Sequence, residues 1–266
     1  MRRVTLFAKG NVDVHDSLHS CRIGGELLWN GVNECLRHSH PEARIRMKHE
    51  TLTRFDALLA ADGHVPQALA DRDLALGSYP LPGQFSDKLF TTPVDAVILS
   101  ILPDVAAPIL RHKEEGFLLY PADTSVWPES DRAWLRDNFE AAGLSTVEAA
   151  MANLEGVVER LREAADVPVL VYNMSPAIPG DMVHCHLGLD DTYSTRIRRF
   201  NLALIELSQA IGISIVDLDG IVARKGADTM KVDAMHLTPL GYQCVAEEVV
   251  RILDDYGIME EGGAGQ

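Results

Sequence analysis

Short apolar segments rich in β-branched residues alternate along this chain with longer segments that place apolar residues at helical spacing. The short segments predict strands at residues 4–8, 94–101, 167–172 and 213–218, with a weaker fifth at 43–48. Helices are predicted over residues 25–36, 51–60, 146–165, 195–211 and 240–256. This alternation predicts an α/β fold, a three-layer α/β/α sandwich in which helices cover both faces of a central parallel sheet. Ligand sites in such folds gather at the carboxyl ends of the strands.

The length of 266 residues and the hydrophobic content of 47% suffice for one sizeable core. We therefore expect a single domain over residues 1–258 and a flexible tail over 259–266. The stretch 63–92 is long for a connection, and its many proline, glycine, aspartate and serine residues predict a binding loop or lid, or a plain surface excursion. The four cysteines show no CxxC spacing, which favours reduced thiols.

The charge balance narrows the class of partner. Acidic side chains number 39 against 24 basic ones, and the formal net charge of −15 disfavours nucleic acid and anionic membranes. No apolar run approaches the roughly 20 residues of a membrane span, and the chain opens on a strand-like segment rather than a signal-peptide core. We expect a cytoplasmic, soluble protein that acts on a small molecule, without nucleic acid or membrane partners. Its oligomeric state stays open.

An acid and a histidine stand three residues apart just before the last predicted helix. In Asp233-Ala234-Met235-His236, the carboxylate of Asp233 is placed to orient and charge-stabilise the imidazole of His236 as a general base. The competing interpretation is an aspartate that caps the following helix beside a surface histidine. The apolar Leu-Thr-Pro-Leu-Gly-Tyr continuation favours the functional interpretation.

The last third of the chain resembles the SGNH (GDSL-like) hydrolase family. The resemblance lies in a helix that carries Asn201, a strand that ends in Val216-Asp217, the Asp233-x-x-His236 loop and the helix start Gly241-Tyr242. The segment 167–176 is similar to the strand that precedes this region in the family. The resemblance implies the three-layer, flavodoxin-like α/β/α fold.

In that family a nucleophilic serine follows the first strand. His15-Asp16-Ser17-Leu18 reads like the Gly-Asp-Ser-Leu block with histidine in place of glycine. The resemblance therefore implies that Ser17 is the nucleophile, His236 its base and Asp233 the orienting acid. The implied activity is that of a serine esterase or acyltransferase, a hydrolase acting on an ester or thioester of a small molecule. We expect no cofactor and no metal.

Three blocks of the family are altered in this chain. Strand one is predicted to end at Ala8, and a second register therefore puts Asn11 at the nucleophile position, where an amide cannot attack an acyl group. Pro103 stands near the family's oxyanion asparagine and offers no amide donor. The glycine block is replaced by His49-Glu50-Thr51. The alternative function is therefore a divergent protein of this fold without the oxyanion hole, either a ligand-binding pseudoenzyme or a non-acyl acid/base enzyme.

Other polar residues near predicted strand ends are candidates to contact the substrate or an oxyanion. They are Lys9, Asn11, His15, Asp16, Thr51 and Asn173. The polar cluster around Ser17, from Asp13 to His19, is compatible with a metal site, a second acid/base group or a polar loop. His184-Cys185-His186 contains ligand types that suit a transition metal, although a substrate-loop or packing role is favoured there.

Overall fold

The computed structural model describes residues 2–23, 26–180 and 192–260. Its strands are β1 (Arg2–Lys9), β2 (Ser20–Ile23), β3 (Glu26–Asn30), β4 (Ala43–Glu50), β5 (Ala96–Ser100), β6 (Leu110–His112), β7 (Leu118–Leu119), β8 (Phe139–Ala141), β9 (Val169–Tyr172) and β10 (Ser214–Val216). Its helices are α1 (Val12–Leu18), α2 (Val32–Ser39), α3 (Phe55–Ala60), α4 (Gln67–Ala70), α5 (Leu81–Gln84), α6 (Lys88–Thr91), α7 (Leu102–Ala106), α8 (Glu129–Asn138), α9 (Val147–Ala164), α10 (Tyr193–Ile211), α11 (Leu218–Lys225), α12 (Ala227–Met230) and α13 (Pro239–Asp255), with a 3₁₀ turn at Thr124–Val126.

Five strands form the central parallel sheet in the order β10-β9-β5-β1-β4. Parallel registers join Leu6 of β1 to Ala96 of β5, and Ile98 of β5 to Leu170 of β9. Every residue of β5 and β9 is buried, as expected for central strands covered on both faces. The five strands predicted from the sequence are confirmed, and so is the α/β fold class.

Helix α13 covers part of this sheet with an apolar stripe. Val245, Val249 and Leu253 are four residues apart and lie buried in one cluster with Ile98 and Leu170. Burying a side chain of this size contributes about 1.5–3 kcal/mol. The stripe therefore fixes the helix that follows the Asp233–His236 loop.

Threonine side chains determine where the three long helices begin. Thr146 accepts a hydrogen bond from the backbone N–H of Ala149 at the start of α9, and Thr192 accepts one from Thr195 at the start of α10. Thr238 caps α13 in the same way. Loss of such a cap typically costs about 1 kcal/mol. The predictions of these three helices from apolar spacing are confirmed.

The predicted helix over residues 25–36 is wrong. Strand β3 occupies its first part and pairs antiparallel with β2, with Ser20 opposite Asn30, and α2 begins only at Val32. Gly31 separates the two elements with a φ of +81°, and a Cβ there would lie 2.7 Å from a backbone carbonyl oxygen. The chain therefore turns at this glycine instead of continuing one helix.

The described residues divide into two compact units. The first is drawn from residues 1–49, 93–102 and 166–266, and it contains the central sheet. The second is drawn from residues 50–92 and 103–165, and it contains the antiparallel sheet β7-β6-β8. The single domain expected over 1–258 stays a prediction.

The second unit has its own hydrophobic cluster, which includes Leu69, Phe85, Trp127 and Phe139. The stretch 63–92, expected as a loop, lid or surface excursion, contains α4, α5 and α6 and supplies Leu69 and Phe85 to this cluster. It is therefore built into the second unit rather than being an open connection. Within the described residues, no helix combines the length and apolar character that crossing a membrane requires.

An asparagine side chain covers the outer edge of the central sheet. Strand β4 is the outermost strand next to β1. The side-chain amide of Asn33, in α2, donates to the carbonyl of Ile45 and accepts from its N–H, both at 2.9 Å. Asn33 thus satisfies two backbone groups that an edge strand leaves open.

Candidate active site

The loop between α12 and α13 holds Asp233 against His236. Asp233 Oδ1 accepts the backbone N–H groups of Met235 and His236, both at 2.8 Å, and Asp233 Oδ2 lies 2.8 Å from His236 Nδ1. Both side chains are about half exposed. A carboxylate at Nδ1 favours the proton there and leaves the lone pair on Nε2, which is the arrangement of a general base. The structure brings these two predicted residues together, and their catalytic role stays a prediction.

The carboxylate of Asp233 stays charged to low pH. Desolvation opposes its ionisation, but hydrogen bonds from the backbone N–H groups of His236 and Met235, and from the imidazole, lower the pKa of Asp233 to about 2. The negative charge of Asp233 is therefore present at neutral pH, beside Nδ1 of His236.

Helix α13 links this loop to α1. A Cβ at Gly241 would lie 2.4 Å from the carbonyl oxygen of Met230, so glycine is required where the helix starts against the loop. The next residue, Tyr242, donates its hydroxyl to Asp16 Oδ2 at 3.3 Å. Asp16 of α1 therefore lies on the side of the first unit that carries the His236 loop.

Asp16 is also the partner of a neighbouring histidine. Its Oδ1 lies 2.8 Å from His15 Nδ1. Burial opposes ionisation of Asp16, but the hydrogen bond and the charge of His15, the hydrogen bond from Tyr242 and the charge of His236 lower its pKa. The structure brings the predicted residues His15 and Asp16 together as an imidazole–carboxylate pair.

The chain passes directly from β1 into α1. The strand ends at Lys9, and Asn11 is the N-cap residue of the helix. A Cβ at Gly10 would lie 2.4 Å from Val14 Cγ2, so only glycine fits this close turn. Asn11 therefore follows the strand closely, at the position that the second register gives to the nucleophile. Lys9, predicted as an oxyanion candidate, is only 2% exposed.

Ser17 lies in the interior of the first unit. It is completely buried on the inward face of α1. Its hydroxyl donates to the carbonyl oxygens of Asp13 at 2.8 Å and Val14 at 3.1 Å, and lies 3.1 Å from the hydroxyl of Tyr172. None of these partners belongs to the His236 loop. The hydroxyl is closed to solvent in this arrangement, and the role of Ser17 as nucleophile stays a prediction.

Asp13 shares the buried face of α1 with Ser17. Its carboxylate accepts a short hydrogen bond from Ser100 at the end of β5. Burial raises the pKa of Asp13, while the hydrogen bond from Ser100 opposes the rise. A cavity of about 20 Å³, large enough for one water molecule, is lined by Asp13 and by Met235 of the His236 loop. Helix α1 and the His236 loop thus adjoin at this cavity, which is too small for a substrate.

Three histidines meet beside α1. His15 and His19 stack with ring centroids 4.7 Å apart, and His49 at the end of β4 lies 5.3 Å from His15 and 5.4 Å from His19. Burial and the charge of His15 lower the pKa of His19, against the opposing charge of Asp16. His19 therefore favours the neutral form, in which one ring nitrogen keeps a lone pair.

The remaining predicted residues have other surroundings. Thr51 belongs to the second unit, where its hydroxyl donates to the carbonyl of Ser78. Asn173 lies at the end of β9, donates to Asp217 Oδ1 at 2.8 Å and accepts the N–H of Asp219 at 3.2 Å. These bonds connect the ends of neighbouring strands, and the substrate contact predicted for Asn173 stays a prediction. The tripeptide 184–186 lies outside the described residues.

Sequence reasoning missed the positions of His49 and Lys231 in the site region. His49 lies at the end of β4, next to β1. The weak strand pattern predicted this strand only as far as residue 48. Lys231 is buried and donates to the carbonyls of Ser175 at 3.1 Å and Ala234 at 3.2 Å. Lys231 thereby ties the His236 loop to the end of β9. A lysine in a polar turn gives no such signal in the sequence.

The architecture and the loop together define the class of fold. A five-stranded parallel sheet lies between helices, and the Asp-x-x-His loop precedes the last long helix. The chain has the SGNH-hydrolase fold in a divergent form.

Comparison with known proteins gives similarity in structure only. No protein-family model and no curated protein matches the sequence. The chain is similar to the solved acetyl xylan esterase AlAXEase, at a TM-score of 0.52 and 10% identity over 94% of this chain and 99% of that one. It is equally similar to LAE5, an alpha/beta hydrolase enzyme from the metagenome of Lake Arreo, at a TM-score of 0.52 and 13% identity over 97% of each chain. The acetylxylan esterase Axe2 from Geobacillus stearothermophilus matches at a TM-score of 0.51 and 13% identity, over 94% of this chain and 93% of that one. Identities this low establish the fold alone.

Proposed function

We propose that this protein hydrolyses an ester or thioester of a small molecule, with His236 as the general base, Asp233 as its orienting acid and a water molecule as the attacking group. The observation that carries the proposal is the half-exposed pair in which Asp233 Oδ2 lies 2.8 Å from His236 Nδ1. The esterases of similar fold support the class of substrate. The burial of Ser17 is the reason for proposing water in place of a serine nucleophile.

The proposed step begins when Nε2 of His236 removes a proton from water as the water oxygen attacks the carbonyl carbon. The negative charge of Asp233 stabilises the resulting imidazolium, and the tetrahedral intermediate then expels an alcohol or thiol that takes the proton from Nε2. The side-chain amide of Asn11, at the end of β1, is a candidate donor to the oxyanion. If an alcohol replaces water, the same base performs acyl transfer.

Hydrolysis by the wild type and three variants, on a panel of acetyl esters and acyl thioesters, tests the proposal. We expect His236→Ala to lower kcat/KM by about 10²- to 10⁴-fold, which is the usual contribution of a general base. His40→Ala is the matched control, because His40 also pairs with an aspartate, Asp254, at 3.3 Å. It should keep the wild-type rate, as should Ser17→Ala provided that it is folded.

Fluorophosphonate labelling distinguishes the two nucleophiles. Under the proposal, intact mass and peptide mapping find no adduct on Ser17. An adduct on Ser17 that disappears in His236→Ala would replace water by the serine mechanism. A folded wild type that cleaves none of the esters or thioesters would overturn the hydrolase proposal and favour a ligand-binding protein.

A further inference from the structure

Three imidazole rings converge at the carboxyl ends of β1 and β4. One nitrogen from each of His15, His19 and His49 lies within 4.8 Å of the others. His15 and His19 come from one end of α1 at a spacing of four residues, which places them on the same helical face. His49 comes from the end of β4. Residues from two separate segments therefore form one cluster.

In two of the three rings, a hydrogen bond occupies one of the nitrogens. His15 Nδ1 lies 2.8 Å from Asp16 Oδ1, and His49 Nε2 donates to the carbonyl oxygen of Gly10 at 3.0 Å. Histidines that bind metals usually donate their other ring N–H to a carboxylate or a backbone carbonyl, which fixes the tautomer and orientation. The bond to Asp16 makes Nε2 the ligand atom of His15, and the bond to Gly10 holds the ring of His49 in place.

The third ring contains a buried polar atom that needs a partner. His19 Nε2 is shielded from solvent and has no hydrogen-bond partner within the described part of the chain. Buried polar groups are almost always satisfied by a hydrogen bond, a water molecule or an ion. A cation coordinated by its lone pair would satisfy this atom.

We propose that His15, His19 and His49 bind a transition-metal dication of the zinc type. Neutral imidazole suits zinc, copper, nickel and iron, and three histidines with one open position are a common zinc arrangement. Zinc–nitrogen bonds of about 2.0–2.1 Å put tetrahedral ligands about 3.4 Å apart. The three nitrogens lie within 4.8 Å of one another, so they must approach by up to about 1.4 Å to bind one ion. His15 is half exposed. The site departs from the expectation that the chain binds no metal, and it does not depend on the proposed hydrolase activity.

Cobalt and zinc titrations of the full-length chain, purified without a histidine tag and stripped with a chelator, test this site. Co²⁺ should bind with visible d–d absorption, and Zn²⁺ should displace it. We expect His19→Ala to weaken Zn²⁺ binding by more than about 100-fold, and Asp16→Asn to weaken it by about 10- to 100-fold, the usual effect of losing an outer-shell carboxylate. His40→Ala, which removes a histidine outside the cluster, should bind like the wild type.

Circular dichroism and the shift of Tm on adding Zn²⁺ separate loss of binding from loss of fold. A folded His19→Ala protein should show no Zn²⁺-dependent rise in Tm. If that variant fails to fold, His49→Gln replaces it as the test, with the same expected loss. Zn²⁺ affinity unchanged in a folded His19→Ala or His49→Gln protein would place the metal elsewhere and overturn the proposal. A wild type that binds neither Co²⁺ nor Zn²⁺ would also overturn it.

Discussion

In the loop before α13, Asp233 and His236 lie three residues apart and are both about half exposed. In α1, Asp13 and Ser17 lie four residues apart and are both buried. Each segment carries an aspartate close to a histidine or a serine. The loop follows α12, and α1 follows β1. The loop presents its polar groups outward and pairs them with each other, whereas the helix turns Asp13 and Ser17 into the protein.

The difference follows from helical geometry. Residues four apart share one face of a helix, while residues two apart lie about 200° around it. Asp13 and Ser17 therefore face the sheet, and His15 and His19 face away from it. A sequence motif such as His-Asp-Ser-Leu predicts an exposed nucleophile only when a loop carries it. Here a helix carries it, and the helix places the serine in the core.

The largest effect that sharpens this comparison is expected at Asp233. Asp233→Asn keeps an oxygen that accepts the N–H groups of Met235 and His236, but it removes the charge that stabilises the imidazolium. We expect kcat/KM to fall by about 100-fold or more, with little change in Tm. Asp254→Asn, which alters the other His–Asp pair, is the control. Equal rates for Asp233→Asn and wild type would exclude the charge from the mechanism.

The effect of pH on the free energy of unfolding should have the opposite sign for a buried carboxyl and for exposed Asp233. Burial raises the pKa of Asp104, in the second unit, from 3.8 to about 7, with hydrogen bonding from Phe55 opposing it. Between about pH 4 and 7 the unfolded state then binds fewer protons than the folded state, so the free energy of unfolding falls as pH rises. The total fall attributable to Asp104 is up to about 4 kcal/mol.

Denaturant unfolding across this pH range measures the effect. Asp104→Asn should give a shallower decline than wild type, although not a flat one, because burial also raises the pKa of Asp13. Parallel curves for the two proteins would contradict the assignment to Asp104.

Ser17→Ala should separate stability from activity. The change leaves the buried hydroxyl of Tyr172 without the serine at 3.1 Å, and we expect a loss of about 1–3 kcal/mol in the free energy of unfolding. Ser208→Ala is the control, because Ser208 bonds a helix carbonyl at 2.8 Å in an exposed position. A Ser17→Ala protein that is fully stable yet inactive would contradict the contrast, because Ser17 would then act in catalysis and not in stabilising the core.

The smallest effect is expected at Thr238. This residue caps α13 by accepting the N–H of Gly241 at 3.2 Å. Thr238→Ala should cost about 1 kcal/mol of stability and leave the rate nearly unchanged, because the turn at Asp233 keeps its own hydrogen bonds. Thermal unfolding and initial rates measure the two outcomes. A rate loss as large as that of Asp233→Asn would show that the cap also positions the loop.

The sequence predicted the parts of the molecule that local patterns determine. The five strands and the three long helices carry their own apolar periods, and the Asp233–His236 contact spans only three residues. The hairpin of β2 and β3 was missed because the apolar residues there also fit a helix. The burial of Ser17 depends on Tyr172, 155 residues away, and no local pattern contains such a contact. The same holds for His49 beside His15.

The amide of Asn33 on strand β4 has a consequence for how copies of this protein meet. The side-chain amide occupies the N–H and the carbonyl of Ile45, as the backbone of a neighbouring strand would. The hydrogen-bond ladder therefore ends inside the molecule at this position. A strand from a second copy would have to displace it before docking there. One asparagine thus blocks strand pairing at the Ile45 position of this edge.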